Sequence, residues 1–328
     1  MNNQDLIIKE AIGTADFKSA GGYLNTEQSN KFLRGVIDQP TIIKAARSVI
    51  IDGENKKIEK IGFGSRIMRP GVENTALTSD KYAKPSFGKV ELATKEVIAE
   101  VRLSYDTLEA NIERAQLRNT IIQMIQERVA LDLEELALQG KLTSDDAYLA
   151  ILNGILFKAS SHVVDGEGHE PSLTLWTDLI KAVPSKYIRD PKAWRIWTSR
   201  NIDLAWKNKI AARNTVAGDR FLLENTNATA LGYTIEPVAM MPEDLTYDPT
   251  PCVTPNSSGD EVENLGEALF THPQNIVIGF TRQVQMEQDK DISARQHIIV
   301  VTMKVDVAIE ETDAVGKLIN LKPSYTES

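Results

Sequence analysis

The residues best suited to chemistry lie in one short stretch, HVVDGEGHEP, at positions 162–171. Its nitrogen and oxygen ligand types could bind a metal ion or activate water: His162, Asp165, Glu167, His169 and Glu170. A metal site needs such ligands to converge in a fixed geometry, whereas these lie among glycines without regular spacing. The stretch therefore favours a polar turn, and a hydrolase that uses the His162–His169 loop is the weaker alternative.

Other motifs that could indicate catalysis are incomplete. GFGS at residues 62–65 is a lone G-x-G without the third glycine of a dinucleotide-binding loop, so a bend in a strand is the better interpretation. The acids of DKDIS, residues 289–293, do not follow the pattern of a calcium loop. Cys252 is the single cysteine, so no disulfide can form within the chain. We therefore predict no catalytic residues, no metal site and no cofactor, and a protein that is not an enzyme.

The composition is that of an ordinary globular protein. Of its 328 residues 42% are hydrophobic and 25% charged, and no apolar run approaches the roughly 20 residues that span a bilayer. The first residues include acids and no apolar block, so no signal peptide is predicted. With 37 basic and 46 acidic residues the formal charge is −9, which argues against nucleic-acid binding through a basic face.

The charge is unevenly distributed along the chain. Residues 54–102 contain ten basic and seven acidic residues, whereas residues 240–270 contain seven acids and no base. The two segments could be separate solvated surfaces, or the basic segment of one subunit could lie near the acidic segment of another. On the second interpretation the candidate assembly contacts are Lys81, Lys84, Phe87, Lys89, Asp244, Asp260, Glu261 and Glu263.

Two segments with alternating apolar and polar residues predict a long hairpin. They are KKIEKIGFGSRIMR, residues 56–69, and KVELATKEVIAEVRLSY, residues 89–105. In the second segment Val97, Val101 and Leu103 share one side, as the two-residue period of a strand requires. The outer half of the hairpin is charged on both faces. Because an isolated hairpin is marginally stable in water, we expect another subunit to support it.

A helix of nearly thirty residues is predicted after the hairpin, from Asn111 to Gly140. One apolar stripe forms its expected core face, with Ile112, Ile122, Ile125, Val129, Leu133 and Leu136. A second stripe includes Met124 and Leu138, so the apolar face is wider than a two-stranded coiled coil needs. The helix is therefore expected to pack across a sheet, with a coiled-coil dimer as the alternative and Gly140 as a left-handed end residue.

The order of these parts resembles a known family. The arm FLRGVIDQPTIIKAARSVII leads into the first hairpin strand, the return strand KPSFGKVELATKEVIAEVRLSYDTLE precedes the long helix, and ISAR with VVTMKVDVAI closes the chain. This organisation is similar to that of tailed-bacteriophage major capsid proteins with the Hong Kong 97-like fold, which is α+β. The resemblance covers essentially the whole chain and rests on the order and texture of segments, because that family has no invariant catalytic motif.

The resemblance implies a division of the chain into parts. These are an N-terminal arm (1–54), an extended loop that lies over a neighbouring subunit (55–104), a peripheral domain (105–189 and 301–328) with a spine helix (108–140), and an axial domain (190–300). Only about 25 residues precede the part of this arm that resembles the family, so a separate scaffolding protein is expected. Lys81, Lys84 and Lys89 lie where some relatives form cross-links, but nothing marks a partner, and cross-linking is not predicted.

The implied function is assembly. Pentamers and hexamers would close into an icosahedral head shell that encloses double-stranded DNA without sequence-specific binding and without a membrane. The shell would belong to the virion, be made in the host bacterial cytoplasm, and have a portal and a decoration protein as further partners. An encapsulin nanocompartment shell is the main alternative, and a portal or tail protein is another.

Reversing the charge of Lys81 and Lys84 to glutamate is expected to impair assembly more than folding, if the basic segment meets the acidic segment of a neighbour. The effect should be largest at low ionic strength, because salt screens contacts between exposed charges. Circular dichroism of the purified subunit and electron microscopy of the particles measure the two properties. Normal shells from the double variant would count against this interpretation.

Overall fold

The protein is known from a computed structural model. The residues it describes are 41–51, 55–62, 66–68, 82, 85–104, 117–212, 227–246, 264–281 and 285–323. Their α-helices are α1 (Thr41–Ala45), α2 (Leu117–Gln139), α3 (Ile155–Lys158), α4 (Leu173–Ala182) and α5 (Arg200–Ala211). Single 3₁₀ turns lie at Leu149–Ile151, Pro191–Ala193, Pro273–Asn275 and Thr312–Ala314. In these ranges no helix combines the length and hydrophobicity needed to cross a membrane.

Among the described residues the strands form three sheets, and this mixture of helices and mainly antiparallel strands confirms the predicted α+β class. They are β1 (Arg47–Ile51), β2 (Asn55–Gly62), β3 (Ser86–Ala93), β4 (Lys95–Ser104), β5 (Val163–Asp165), β6 (Arg195–Thr198), β7 (Thr229–Ala230), β8 (Tyr233–Pro237), β9 (Gly266–Thr271), β10 (Ile276–Thr281), β11 (Gln285–Asp291), β12 (Gln296–Ile309) and β13 (Val315–Leu321).

Strand β12 is the centre of a five-stranded sheet. It pairs antiparallel with β4, with β10 and with β11, and β1 joins parallel to β10. Its apolar residues alternate as the sequence predicts, and one face is buried: Ile299, Val301, Met303, Val305, Val307 and Ile309. On β4 the partly buried Val97, Val101 and Leu103 extend this apolar face.

Helix α2 packs against that face of the sheet. Ile125, Leu133 and Leu136 are buried in the same apolar cluster as the β12 residues, and the partly buried Val129 packs against it. Of the remaining predicted core residues, Ile112 lies outside the described residues and so does the side chain of Ile122. The described helix begins at Leu117, so the predicted start at residue 108 is also outside them.

Two details of the predicted helix are wrong. The sequence pattern places Met124 in the second apolar stripe, but its side chain is 62% exposed. Gly140 does not have a positive φ. Glycine is required there by close packing, since a Cβ would lie 2.6 Å from the carbonyl oxygens of both Leu136 and Leu152.

A buried carboxylate connects α2 with the chain that leads into β1. Glu134 is 2% exposed, and its Oε1 accepts a hydrogen bond of 2.8 Å from the backbone N–H of Ile42. Burial raises the pKa of Glu134, while the N–H groups of Ile42 and Thr41 act in the opposite direction. Ile42 and Ile43 are themselves fully buried, so α1 is fixed to the long helix by both polar and apolar contacts.

A second unit is built on a six-stranded sheet in the order β5-β13-β9-β6-β8-β7. Helices α4 and α5 contribute to its separate apolar core, which contains Trp176, Trp206 and Phe270. The four tryptophans of the chain are all buried, in agreement with a core role. Ser172 and Ser199 cap the two helices by accepting hydrogen bonds from the backbone N–H three residues ahead.

The strand pairing does not follow the predicted domain boundaries. Strand β13, grouped by sequence with the spine helix, pairs with β9 and β5 in the six-stranded sheet. Strands β10 and β11, grouped with the axial domain, pair with β12 in the five-stranded sheet. The alternation over residues 89–105 predicts one strand, but Thr94 separates β3 from β4, and these two strands belong to different sheets.

Truncation of the buried face of α2 provides a test of this packing. Ile125→Ala is expected to lower the free energy of unfolding by about 2–5 kcal/mol, because it removes buried apolar area and leaves a cavity. Met124→Ala is the matched control on the preceding residue, and because Met124 is exposed the change should be about 0.5 kcal/mol or less. Urea denaturation followed by tryptophan fluorescence measures both, and equal losses would contradict the assignment of the buried face.

Glu134→Gln is expected to change how stability depends on pH. The folded protein binds the Glu134 proton more tightly than the unfolded chain does, because burial raises the folded pKa. The contribution of this group to the free energy of unfolding is therefore greatest below its unfolded pKa and falls as pH rises through its folded pKa. The glutamine variant lacks this fall, so its stability relative to wild type should increase as pH rises from below the ordinary glutamate pKa, about 4.3, through the raised pKa of the folded state.

Urea denaturation at a series of pH values measures this difference, with Glu135→Gln on the same helix as the control. Glu135 is partly exposed, whereas Glu134 is buried. If the stability difference between Glu134→Gln and wild type stayed constant across the pH range, the buried carboxylate would have no such effect.

Candidate assembly surface

The hairpin of β2 and β3 has two different faces. The strands pair antiparallel from Asn55 opposite Ala93 to Gly62 opposite Ser86. Leu92 and Val90 are two residues apart and so share one face, and Ile58 joins them because it lies directly opposite Val90. The other face carries Phe87 and charged residues. The hairpin can therefore pack on its own subunit with one face and present the other to a neighbour.

The base of the hairpin packs on a small apolar cluster, called here the apolar seat, which consists of Ile51, Leu92, Val277 and Ala308. Leu92 is buried with Ile51, Val277 and Ala308, so the hairpin covers part of the five-stranded sheet on the side away from α2. Gly279 makes room for this contact, since a Cβ there would lie 2.7 Å from Cδ1 of Ile51 and 3.2 Å from Cδ1 of Leu92. The hairpin thus has support from its own chain at the base, which the sequence does not indicate.

Polar contacts also join the hairpin to the rest of its own subunit. The backbone N–H of Ala93 donates to Oδ2 of Asp306 at 2.7 Å, and Lys60 forms an ion pair with Glu311. The ammonium of Lys56 donates to the carbonyl of Ile50 at 3.1 Å. These contacts join both strands of the hairpin to β1, to β12 and to the turn after β12.

The outward face of the hairpin is charged and open to solvent. Lys57 and Glu91 form an ion pair of 2.7 Å, with both side chains more than half exposed. Their mutual hydrogen bond and attraction raise the pKa of Lys57 and lower the pKa of Glu91. Lys89 lies opposite Glu59 on this face and is exposed. Such exposed pairs contribute little to the stability of the subunit, and their charges remain accessible to a partner.

Large apolar side chains accompany these charges between Arg66 and Phe87. Four are exposed in the isolated subunit, at 50% to 84%: Ile67, Met68, Tyr82 and Phe87. Exposed apolar groups concentrated in one segment are typical of surfaces that bind another protein. The sequence pattern singles out only Phe87 as a contact, because it assigns Ile67 and Met68 to the first predicted hairpin strand and Tyr82 lies between the two predicted strands.

The acidic segment is partly used within the subunit. Glu267 forms an ion pair with Lys317 at 2.8 Å, and both side chains are largely buried. Glu243 accepts a hydrogen bond of 3.1 Å from the N–H of Asn201 at the start of α5. These two acids therefore belong to intrachain contacts, and the end of the segment is strand β9 rather than part of a surface loop.

The ends of the acidic segment are joined to each other. Leu245 and Leu265 exchange two backbone hydrogen bonds, of 3.0 Å and 2.8 Å, and so form an isolated antiparallel bridge. Asp244, just before the bridge, is exposed. The described parts of the chain before and after residues 247–263 are therefore held together at this bridge.

The His162–His169 loop has a structural role in the six-stranded sheet. Val163–Asp165 is strand β5, parallel to β13. Oδ1 of Asp165 accepts hydrogen bonds of 2.8 Å from the N–H of Glu167 and from the side chain of Asn320. In the described part of the chain no three histidine, cysteine or acidic side chains form a group that could hold a metal ion.

The predicted contact residues fall into two groups. Phe87, Lys89 and Asp244 are described and are accessible at the surface. The others lie outside the described residues: Lys81, Lys84, Asp260, Glu261 and Glu263. Sequence reasoning missed Asp306 and Glu311, which fix the hairpin. The sequence signal for Asp306 is a charged residue between two valines, Val305 and Val307, in a strongly apolar strand segment.

Comparison with known proteins gives a consistent match over nearly the whole chain. A family model described as "Phage capsid family" matches residues 20–319. The "Putative prophage capsid protein YqbE" of Bacillus subtilis (strain 168) is 43% identical over 323 residues, which cover 98% of this chain and 100% of that protein.

Solved structures share the fold at low sequence identity. The procapsid of satellite phage P4 with its size determination (Sid) protein has a TM-score of 0.65 at 15% identity, covering 98% of each chain. The holo-SrpI encapsulin complex of Synechococcus elongatus PCC 7942 has a TM-score of 0.52 at 11% identity, covering 88% of this chain and 89% of that chain. At these identities the likeness concerns the fold.

Proposed function

Because this chain belongs to the phage capsid family and has the Hong Kong 97-like fold, we propose that it is the major capsid protein of a tailed bacteriophage. Many copies would close into an icosahedral head shell around packaged double-stranded DNA. The observation that carries this proposal is the 43% identity to a prophage capsid protein across 98% of the chain. The family is one of structural proteins, so the role is assembly rather than catalysis.

The two sheet units correspond to the two domains expected of such a subunit. We assign the five-stranded sheet with α2 to the peripheral domain, and the six-stranded sheet with α4 and α5 to the axial domain. The chain then enters the axial domain after α3, leaves it after β9 and returns with β13. This assignment follows strand pairing and replaces the boundaries expected from sequence order.

The hairpin is the part we assign to contact with a neighbouring subunit in pentamers and hexamers. The observation that supports this assignment is the exposure of the apolar side chains of Ile67, Met68, Tyr82 and Phe87, which are in contact with water in a free subunit. The basic segment that surrounds them and the acidic segment from residue 240 could attract each other across subunits. Such attraction acts at short range at physiological salt.

The acidic composition suits a wall that faces packaged DNA. A chain with a formal charge of −9 lacks the excess of lysine and arginine that neutralises phosphates in non-specific binding. A strongly basic wall would bind DNA tightly and hinder its movement during packing. Assembled shells would be part of the virion and be made in the bacterial cytoplasm. A scaffolding protein, a portal and a decoration protein are the further partners that this function implies.

Electron microscopy of purified, assembled material tests the function. We expect closed icosahedral shells with pentamers and hexamers when the chain is expressed with the neighbouring genes of its phage. Particles that contain double-stranded DNA support a phage head, whereas particles filled with a cargo enzyme would support an encapsulin shell. Rings or tubes in place of closed shells would contradict the proposal.

A gel-shift measurement on the free subunit at low salt is the companion experiment for the DNA-facing wall. The subunit is expected not to retard double-stranded DNA, and a small basic DNA-binding protein serves as the positive control. Tight retardation would contradict the account of the inner wall without affecting the assignment to a shell.

A further inference from the structure

The ladder between β4 and β12 ends at a side-chain ion pair. The last backbone pair is Lys95 opposite Val305. If the same register continued, Thr94 would lie opposite Asp306 and Ala93 opposite Val307. The chain instead turns away at Thr94 and enters the hairpin, so that none of the described strands pairs with this edge of β12 beyond Val305.

Asp306 and Lys158 satisfy the backbone groups at this edge. Oδ1 of Asp306 accepts from the N–H of Val307 at 2.8 Å, and its Oδ2 accepts from the N–H of Ala93 at 2.7 Å. The ammonium of Lys158, at the end of α3, donates to the carbonyl of Val307 and lies 3.5 Å from Oδ1 of Asp306. These two charged side chains thus make hydrogen bonds with backbone groups of Ala93 and Val307 that could otherwise bond to each other.

The ion pair of Asp306 and Lys158 lies in a largely buried position beside the base of the hairpin. Asp306 is 7% exposed, so its carboxylate needs these partners to compensate the loss of water. On the same sheet face Gly279 pairs with Asp306 and admits Ile51 and Leu92, which belong to the apolar seat of the hairpin. The polar pair and the apolar seat therefore act on the same end of β3.

We propose that Asp306 and Lys158 form a wedge that ends the β4–β12 ladder and thereby sets the direction of the hairpin relative to the five-stranded sheet. Both are positioning residues, since they act through Ala93 and Val307 and not through contact with another subunit. The importance of this direction for shell closure rests on the proposed function. The wedge itself is a property of the single subunit and can be measured there.

Without the wedge the ladder can add a pair. Removing both charges leaves the N–H groups of Ala93 and Val307 and the carbonyl of Val307 without these side-chain partners. Pairing Ala93 with Val307 is the available compensation, because buried backbone groups without hydrogen bonds are costly. The first residues of the hairpin would then lie alongside β12, and its direction would change.

Electron paramagnetic resonance distances in the full chain test the wedge. Spin labels are placed at Lys89→Cys on β3 and Asp289→Cys on β11, two exposed positions, with Cys252→Ser removing the single native cysteine. Labelled subunit is diluted in excess unlabelled subunit so that only distances within one chain contribute. In Asp306→Ala/Lys158→Met the mean distance is expected to shift by roughly one strand spacing, about 5 Å.

A matched control exists in the six-stranded unit. Asp203 and Lys207 form an ion pair of 2.7 Å with side chains 3% and 25% exposed, comparable with 10% and 29% for Asp306 and Lys158. Asp203→Ala/Lys207→Met should leave the distance unchanged. An unchanged distance in both double variants would overturn the proposal, and so would an equal change in both, because general loosening would then explain it.

Two further arms separate folding and assembly. Asp306→Ala alone frees the N–H groups of Ala93 and Val307 and keeps Lys158, whose side chain is 29% exposed. It should therefore still shift the distance if the double variant does not fold, and no shift in this folded variant would overturn the wedge. In assembly, the wedge variant should lose closed shells while the control variant keeps them. Normal shells from a subunit with a shifted distance would overturn the link to shell closure. If wild type formed no shells, the proposed function would fail while the distance result remained valid.

Discussion

Strand β12 carries hydrogen-bonding groups along both edges for fourteen residues, and each buried group needs a partner. Three strands supply these partners, with β4 on one edge and β10 and β11 on the other. Near the end of β12 the strand pairing stops on one edge, and the side chains of Asp306 and Lys158 take over. The position of this change from backbone to side-chain partners determines where the chain can leave the sheet as a hairpin.

Helix α2 and the hairpin depend on opposite faces of that same strand. The valines and isoleucines of β12 that point one way form the core with Leu133 and Leu136, while Ala308 and Asp306 on the other face meet the hairpin. The long helix therefore stabilises the sheet on which the hairpin sits. The six-stranded unit has its own core of aromatic and aliphatic residues. It is joined to the five-stranded sheet by chain crossings and by Trp197, Leu269 and Val315, which belong to the same apolar cluster as α2 and β12.

Sequence patterns predict elements better than their partners. The alternation of 299–309 identifies a strand with one buried face, and the spacing of Ile125, Leu133 and Leu136 identifies a helix face, because these patterns record local burial. The break at Thr94 has no local signal, since alternation continues through it while the hydrogen-bond partner changes. Sequence order likewise does not indicate that β13 pairs with β9, because pairing between strands distant in sequence is set by the sheet as a whole.

The surface is the part least predictable from sequence. Phe87 and Lys89 stand out by type and position. The exposure of Ile67, Met68 and Tyr82 is a property of the folded subunit that the apolar type of these residues does not indicate. Glu267 reads as one more acid of a charged segment and is instead an internal partner of Lys317. Charge counted along a segment does not distinguish these two uses, because the partner lies on a different strand far along the chain.

The bridge between Leu245 and Leu265 has a consequence for engineering and divergence. These two residues are held together by the bridge. The number of residues between them can therefore vary, because the entropic cost of closing a loop grows only slowly with its length. Related capsids could therefore gain or lose residues there while both sheets keep their registers. The same place could accept a grafted peptide, and a closed shell would then display it in many identical copies.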